Sequence, residues 1–185
     1  MFQRNLEMGI VRKPESVKLF AGIIAESNKA IENLTRILTV RWGEIDVESK
    51  SIQFDFTSYY EREMGKNLIR KWVGFAKLIN PGEIAGIKTE TNNIEQETAV
   101  SEKRRINIDP GYLALSKVVL ASTKDFSHRI YLDKGIYAEI TLLYRDKEFI
   151  PLAWTYSDYQ SETATSFFKN LRQQYHRQLL FLKED

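Results

Sequence analysis

Asn80-Pro81-Gly82-Glu83 stands between two stretches of different periodicity, and its reading decides the fold. Asparagine caps helices, proline suits the first helical position, and Glu83 can reach back to close a capping box. The spacing predicts a helix from here to about Gln96. Upstream, Leu68 to Ile79 carries Trp72, Val73 and Phe75, residues that favour a strand. Downstream, Arg105-Ile106-Asn107-Ile108-Asp109 alternates polar and apolar, so a second strand follows.

Working outward, Val17 to Ile24 reads as a well-buried strand. Ser27 caps a helix whose apolar stripe is Ala30, Leu34, Ile37 and Leu38, stopped near Gly43. Ile45-Asp46-Val47 and Ile52-Gln53-Phe54-Asp55-Phe56 are short strands, the second alternating as a half-buried one. Beyond the Arg105 strand come a strand at Lys117 to Ala121, a hairpin around Asp133-Lys134-Gly135 and another at Arg145-Asp146-Lys147-Glu148. From Thr163 an amphipathic helix carries Phe167, Phe168, Leu171, Tyr175 and Leu179 as its stripe. The expected class is α+β: a mainly antiparallel sheet with a ferredoxin-like βαββαβ core, an added C-terminal hairpin region and a closing helix. No linker or repeat divides residues 1–185, so a single domain is expected.

Composition bounds the function. The hydrophobic share is 43% and the charged share 28%, as in ordinary globular proteins. Met1 to Val11 has no apolar run of the signal-peptide kind, and no stretch is long enough to span a bilayer. With no cysteine, thiolate chemistry and disulfides are excluded, and a cytoplasmic location is the default. A net charge of +2 makes nucleic acid an unfavoured partner and leaves a small anionic ligand as the better match. A phosphate-cradling GxxxxGK[ST] loop is absent from the sequence, which weighs against a P-loop GTPase.

Polar residues occupy positions where structure alone would put apolar ones. Arg105, Asn107 and Asp109 share one strand face, opposite Ile106 and Ile108. On a wheel of the Asn80 helix, Ile84, Lys88, Thr91 and Glu95 fall in one sector, with Asn92 beside it. If Asp133-Lys134-Gly135 is a three-residue loop, Leu132 faces Ile136 and Arg129 faces Glu139. Ile130, Leu132, Ile136, Ala138, Ile140 and Leu142 then line one face, and Arg129, Tyr131, Tyr137, Glu139 and Thr141 the other. His128 falls at the hairpin mouth, where a satisfied structural histidine and an acid–base group are both open.

Several blocks carry a resemblance over nearly the whole chain. They include Phe56-Thr57-Ser58-Tyr59-Tyr60-Glu61-Arg62-Glu63-Met64-Gly65, Ile87 to Glu95, Arg105 to Tyr112, Leu120 to Lys124, His128 to Leu132, Gly135 to Glu139 and Trp154-Thr155-Tyr156-Ser157-Asp158-Tyr159. In these the chain resembles an uncharacterised bacterial and archaeal family, a domain of unknown function whose members are sometimes labelled GTP-binding proteins. The resemblance implies that the polar positions above belong to the family pattern. It adds Thr57, Tyr59, Tyr60, Glu63, Trp154 and Asp158 as site candidates, with packing the alternative for the aromatics.

Three functions stay open on this reading. In the first, Arg105, Lys124 and Arg129 clamp the anion of a small phosphate- or carboxylate-bearing ligand, such as a nucleotide or sugar phosphate. Asn107, Thr91 and Asn92 orient it, Tyr59, Tyr60 and Trp154 stack on a ring, Glu95, Asp109, Glu139 and His128 act as acids or bases, and Glu95, Asp109 and Glu139 can hold a divalent ion such as magnesium. In the second, Lys103-Arg104-Arg105, Lys117 and Lys124 bind RNA or a ribosome. In the third, the polar set is a buried structural network. Of Glu95, Arg105, Asp109, Lys124, Arg129 and Glu139, at least four are expected to converge on one pocket.

Overall fold

Apart from Lys18, residues 17–25 carry no polar side chain in either alternating register, and in the computed structural model they form β1 (Val17–Ala25), buried along its whole length. A strand of that kind needs cover on both faces, and β1 lies well inside a nine-stranded sheet. The structure describes residues 10–101 and 103–184; Met1 to Gly9, on which much of the reading of the N-terminus rests, lie outside the described residues. Among the described residues, no helix is long and apolar enough to cross a membrane.

After β1 come α1 (Asn28–Trp42), β2 (Ile45–Glu48), β3 (Ile52–Gln53), the single-turn α2 (Glu61–Met64), β4 (Ile69–Ile79) and α3 (Ile84–Glu97). The second half adds β5 (Ile106–Ala114), β6 (Lys117–Ser122), β7 (Ile130–Asp133), β8 (Ile136–Arg145), β9 (Glu148–Pro151) and α4 (Glu162–Glu184). The sheet runs β2-β4-β1-β5-β6-β8-β7, with β3 also paired to β4 and β9 to β8. Neighbouring strands are antiparallel throughout. The class is therefore α+β with an antiparallel sheet and a closing C-terminal helix.

The helix starts obey local chemistry. Ser27 accepts from the Ala30 amide, and Gly43 ends α1 at φ +95°, a conformation that favours glycine. Asn80 and Glu83 form the reciprocal capping box, set on a 3-10 turn that leads into α3. α1 and α3 cover one sheet face, with Ile31, Leu34, Leu38, Ile84, Ile87 and Ile94 packed on Leu19, Ile23, Phe75 and Ile108. α4 lays Phe167, Phe168, Leu171, Tyr175 and Leu179 over Phe20, Trp72, Leu113 and Leu120 on the other face. At one end of that second face Ile24, Phe54, Met64 and Leu68 form a small separate core under the segment 54–68.

Four local expectations are corrected. The strand expected over Ile52 to Phe56 stops at Gln53, because Phe54 and Phe56 leave the sheet to pack with Tyr60. On α1 it is Ile31 that is buried, whereas Ile37 is 37% exposed. The β7–β8 loop is the two-residue Lys134-Gly135, both at positive φ, and Asp133 faces Ile136. A bulge at Leu132 then restores the expected pairing, with Tyr131 opposite Tyr137 and Ile130 opposite Ala138. The face read as apolar is not all core. Ile130 is 73% exposed and Leu132 40%, since β7 is an edge strand whose four residues are all exposed.

Candidate functional site

A cavity of about 530 Å³ opens on the α4 side of the sheet, where α4 stops short; small-molecule sites usually span about 300–1,000 Å³. Its floor is made by inward residues of five strands or strand ends: Ile24, Arg70, Asp109, Leu120 with Ser122, and Glu139. One wall is the segment Phe54 to Tyr60, and the other runs from Ala153 to Tyr159 ahead of α4. Lys124 and Phe126 close the side beyond β6.

Arg70 is the largest polar group in the floor and is fully buried. It occupies the same face of β4 as Trp72, which turns it towards the interior. Its Nη1 donates to Asp109 Oδ2 at 3.1 Å, and its Nε lies 3.0 Å from Asp158 Oδ2. The guanidinium also lies 4.7 Å from the Trp72 ring centroid and 5.1 Å from that of Tyr159. Gly22, on β1 opposite both Trp72 and Asp109, leaves room for it. A β-carbon at Gly22 would stand 2.6 Å from Arg70 Nη2. Burial lifts the Asp158 carboxyl above the usual range, with Asp109 adding to the rise and Arg70 opposing it. Burial and the Asp109 charge likewise push the Tyr60 phenol upward.

The second buried centre is Arg129–Glu139, each side chain 1% exposed. Arg129 Nε donates to Glu139 Oε2 at 2.8 Å, Nη1 to Ser122 Oγ and the Lys124 carbonyl, and Nη2 to Tyr156 Oη. Glu139 Oε1 accepts from Thr141 at 3.0 Å, and His128 Nε2 lies 3.2 Å from Oε2. His128 stacks on Trp154 with ring centroids 5.0 Å apart. Arg129 thus knits the β7 entry, the β6 exit and the Tyr156 segment together, using four of its five donor hydrogens. It is not available as an open clamp.

Lys124 differs from both arginines. Its ammonium donates to Tyr59 Oη at 3.1 Å and sits 4.3 Å from that ring's centroid. Among the described residues it forms no ion pair, and it is exposed at the cavity rim.

Asp109, Lys124, Arg129 and Glu139 therefore line one cavity, together with Thr57, Tyr59, Tyr60, Trp154 and Asp158. Glu95, Arg105, Asn107, Thr91 and Asn92 do not line it, and His128 stands behind Glu139 and Trp154. Arg105 precedes β5 and pairs with Glu26 near the surface, because the chain turns before the alternation begins. Glu95 points inward, as the helix wheel requires, but towards the backbone of β5. The β5–β6 ladder starts only at Gly111, just after Pro110, which has no N–H to offer. The Ile108 amide donates instead to Glu95 Oε1, and the Ile108 carbonyl accepts from Lys88 Nζ, both at 2.8 Å. Two α3 side chains thus stand in for a missing strand neighbour.

Arg104 completes this second network, donating to both Glu63 oxygens at 2.7 Å and to Glu95 Oε2 at 2.8 Å. Asn107 Oδ1 accepts weakly from it at 3.3 Å, and the Thr91 hydroxyl donates within its own helix to the Lys88 carbonyl. Burial raises the Glu95 carboxyl, whereas the Arg104 fork lowers that of Glu63. Glu95, Asp109 and Glu139 hold different partners, and no group of three or more His, Cys, Asp or Glu among the described residues could hold a metal ion.

Arg70 and Arg104 escape a reading by motif. Arg70 had one usable signal, its even spacing from the inward Trp72. Arg104 had none, since only the fold brings Glu63 and Glu95 to it.

No curated protein and no solved structure matches the chain. A family model does, over residues 15–175, the greater part of the sequence. With the blocks around Tyr59, Asp109, Lys124, Arg129 and Asp158 all falling inside that span, the chain belongs to the family described as a domain of unknown function (DUF4416).

Proposed function

We propose that this protein binds a small molecule joining a planar ring to one anionic group, such as a nucleoside monophosphate or a comparable phosphate- or carboxylate-bearing metabolite. The observation that carries this reading is Lys124, a cation without a carboxylate partner at the rim of an aromatic-walled cavity. Arg70 and Arg129 are already neutralised by buried carboxylates, so they shape the cavity and leave the anion to Lys124. Phe56, Tyr60, Trp154 and Tyr156 offer faces and edges on which a flat ring can lie. The size of the cavity suits a nucleoside and is too small for a polymer. An RNA surface gains little support from the Lys103-Arg104-Arg105 cluster, because Arg104 and Arg105 are both held by carboxylates.

Titration calorimetry with adenosine monophosphate, cytidine monophosphate, adenosine and inorganic phosphate tests the reading. A monophosphate should bind more tightly than either nucleoside or phosphate alone, and Lys124→Ala should bring it down to the nucleoside's level. If no monophosphate outperforms its fragments, or if Lys124→Ala changes nothing, the reading is wrong.

A further inference from the structure

The geometry points to Asp109 as the group that reads the ring of the bound molecule, selecting heterocycles that carry an amine over those that carry an oxo group at the same place. This rests on the ligand reading above and specifies the chemistry of the end opposite the anion.

Asp109 uses Oδ2 on Arg70, while Oδ1 has no hydrogen-bond partner among the described residues. Its side chain is 27% exposed although it lies in the middle of β5, and it lines the cavity. A carboxylate accepts and does not donate, so this oxygen favours an N–H or O–H on the ligand and repels a carbonyl. The charge balance points the same way. One guanidinium, that of Arg70, faces two carboxylates, Asp109 and Asp158, which leaves this cluster formally one negative charge in excess. Burial raises the Asp158 carboxyl, with Arg70 opposing the rise and Asp109 adding to it, and the free acceptor oxygen of Asp109 is unaffected.

The cavity is therefore polarised along its depth. Its floor presents an acceptor, its sides are aromatic, and its rim presents the Lys124 ammonium. A ligand that fits this order enters ring first, with its amine inward and its anion at the mouth. The reversed orientation would put an anion against Asp109 and is disfavoured by like charge.

The test compares matched pairs on the wild-type protein by titration calorimetry. Adenosine monophosphate is set against inosine monophosphate, and cytidine monophosphate against uridine monophosphate. In at least one pair the amino compound should bind at least about tenfold more tightly, the order expected when a charged acceptor is left without its donor. The N6,N6-dimethyl form of adenosine monophosphate, which keeps the ring but has no amine hydrogen, should lose the same advantage. Asp109→Asn can turn an amide N–H to the cavity, and it should reduce or invert the preference. Equal affinities within each pair in the wild type would overturn the inference, as would a preference unchanged in Asp109→Asn. In those cases binding that still depends on Lys124 would leave the ligand reading standing. Absence of binding by every monophosphate would overturn both.

Discussion

Replacing Arg129 by alanine tests whether the buried cation is structural. The substitution removes a guanidinium that is 1% exposed and leaves Glu139, equally buried, with only His128 and Thr141 beside it. It also strips hydrogen-bond donors from Ser122 Oγ, the Lys124 carbonyl and Tyr156 Oη, three groups that water can partly reach through the cavity. Breaking one side of a buried pair costs about 3–5 kcal/mol, most of it the penalty of an uncompensated charge. Cavity water offsets some of the remaining losses, so about 3–5 kcal/mol is the expected total. In urea, with a slope of about 2 kcal/mol/M for a domain of this size, the unfolding midpoint should fall by roughly 1.5–2.5 M. The double variant Arg129→Ala, Glu139→Ala should be less destabilised than the two single losses added together, because it leaves no orphaned charge. Equilibrium unfolding followed by far-ultraviolet circular dichroism reads all four proteins. An Arg129→Ala protein within about 1 kcal/mol of wild type would refute the reasoning, since a surface pair typically contributes that little.

Other outcomes follow from the same geometry. Glu95 has a raised folded pKa through burial, so its contribution to stability is full below its unfolded value of about 4.3 and is lost as pH rises through the folded pKa. Unfolding free energies measured at pH 4.5 and 7 should therefore show a decline in wild type that is smaller in Glu95→Gln; equal slopes would refute it. Gly22→Ala should destabilise by about 1–3 kcal/mol, because the new methyl meets the Arg70 guanidinium at 2.6 Å in a packed floor, and thermal denaturation checks it. Lys147 turns the β8–β9 hairpin at φ +66°, so Lys147→Gly should stabilise by roughly 0.5–1 kcal/mol, read from the shift of the same thermal transition.

Local chemistry was legible from the chain alone wherever a residue's role depends on near neighbours. The capping box at Asn80 and Glu83, the Ser27 cap, the inward stripe of Phe167, Phe168, Leu171, Tyr175 and Leu179, and the burial of Lys88, Thr91 and Glu95 on one helix face all follow from spacing. The Arg129–Glu139 pairing followed too, since a hairpin is a short-range element whose pattern pins its register. What Lys88 and Glu95 are for was decided only in three dimensions, by the unpaired edge of β5 beside Pro110. Tertiary structure likewise sent Arg104 to Glu63 and Glu95, left Arg105 near the surface with Glu26, and set Arg70 between Asp109 and Asp158, partners 39 and 88 positions away in sequence. Alternation says which side of a strand a charge occupies. Which distant charge meets it there depends on how strands far apart in the chain are ordered in the sheet, and no local spacing encodes that order.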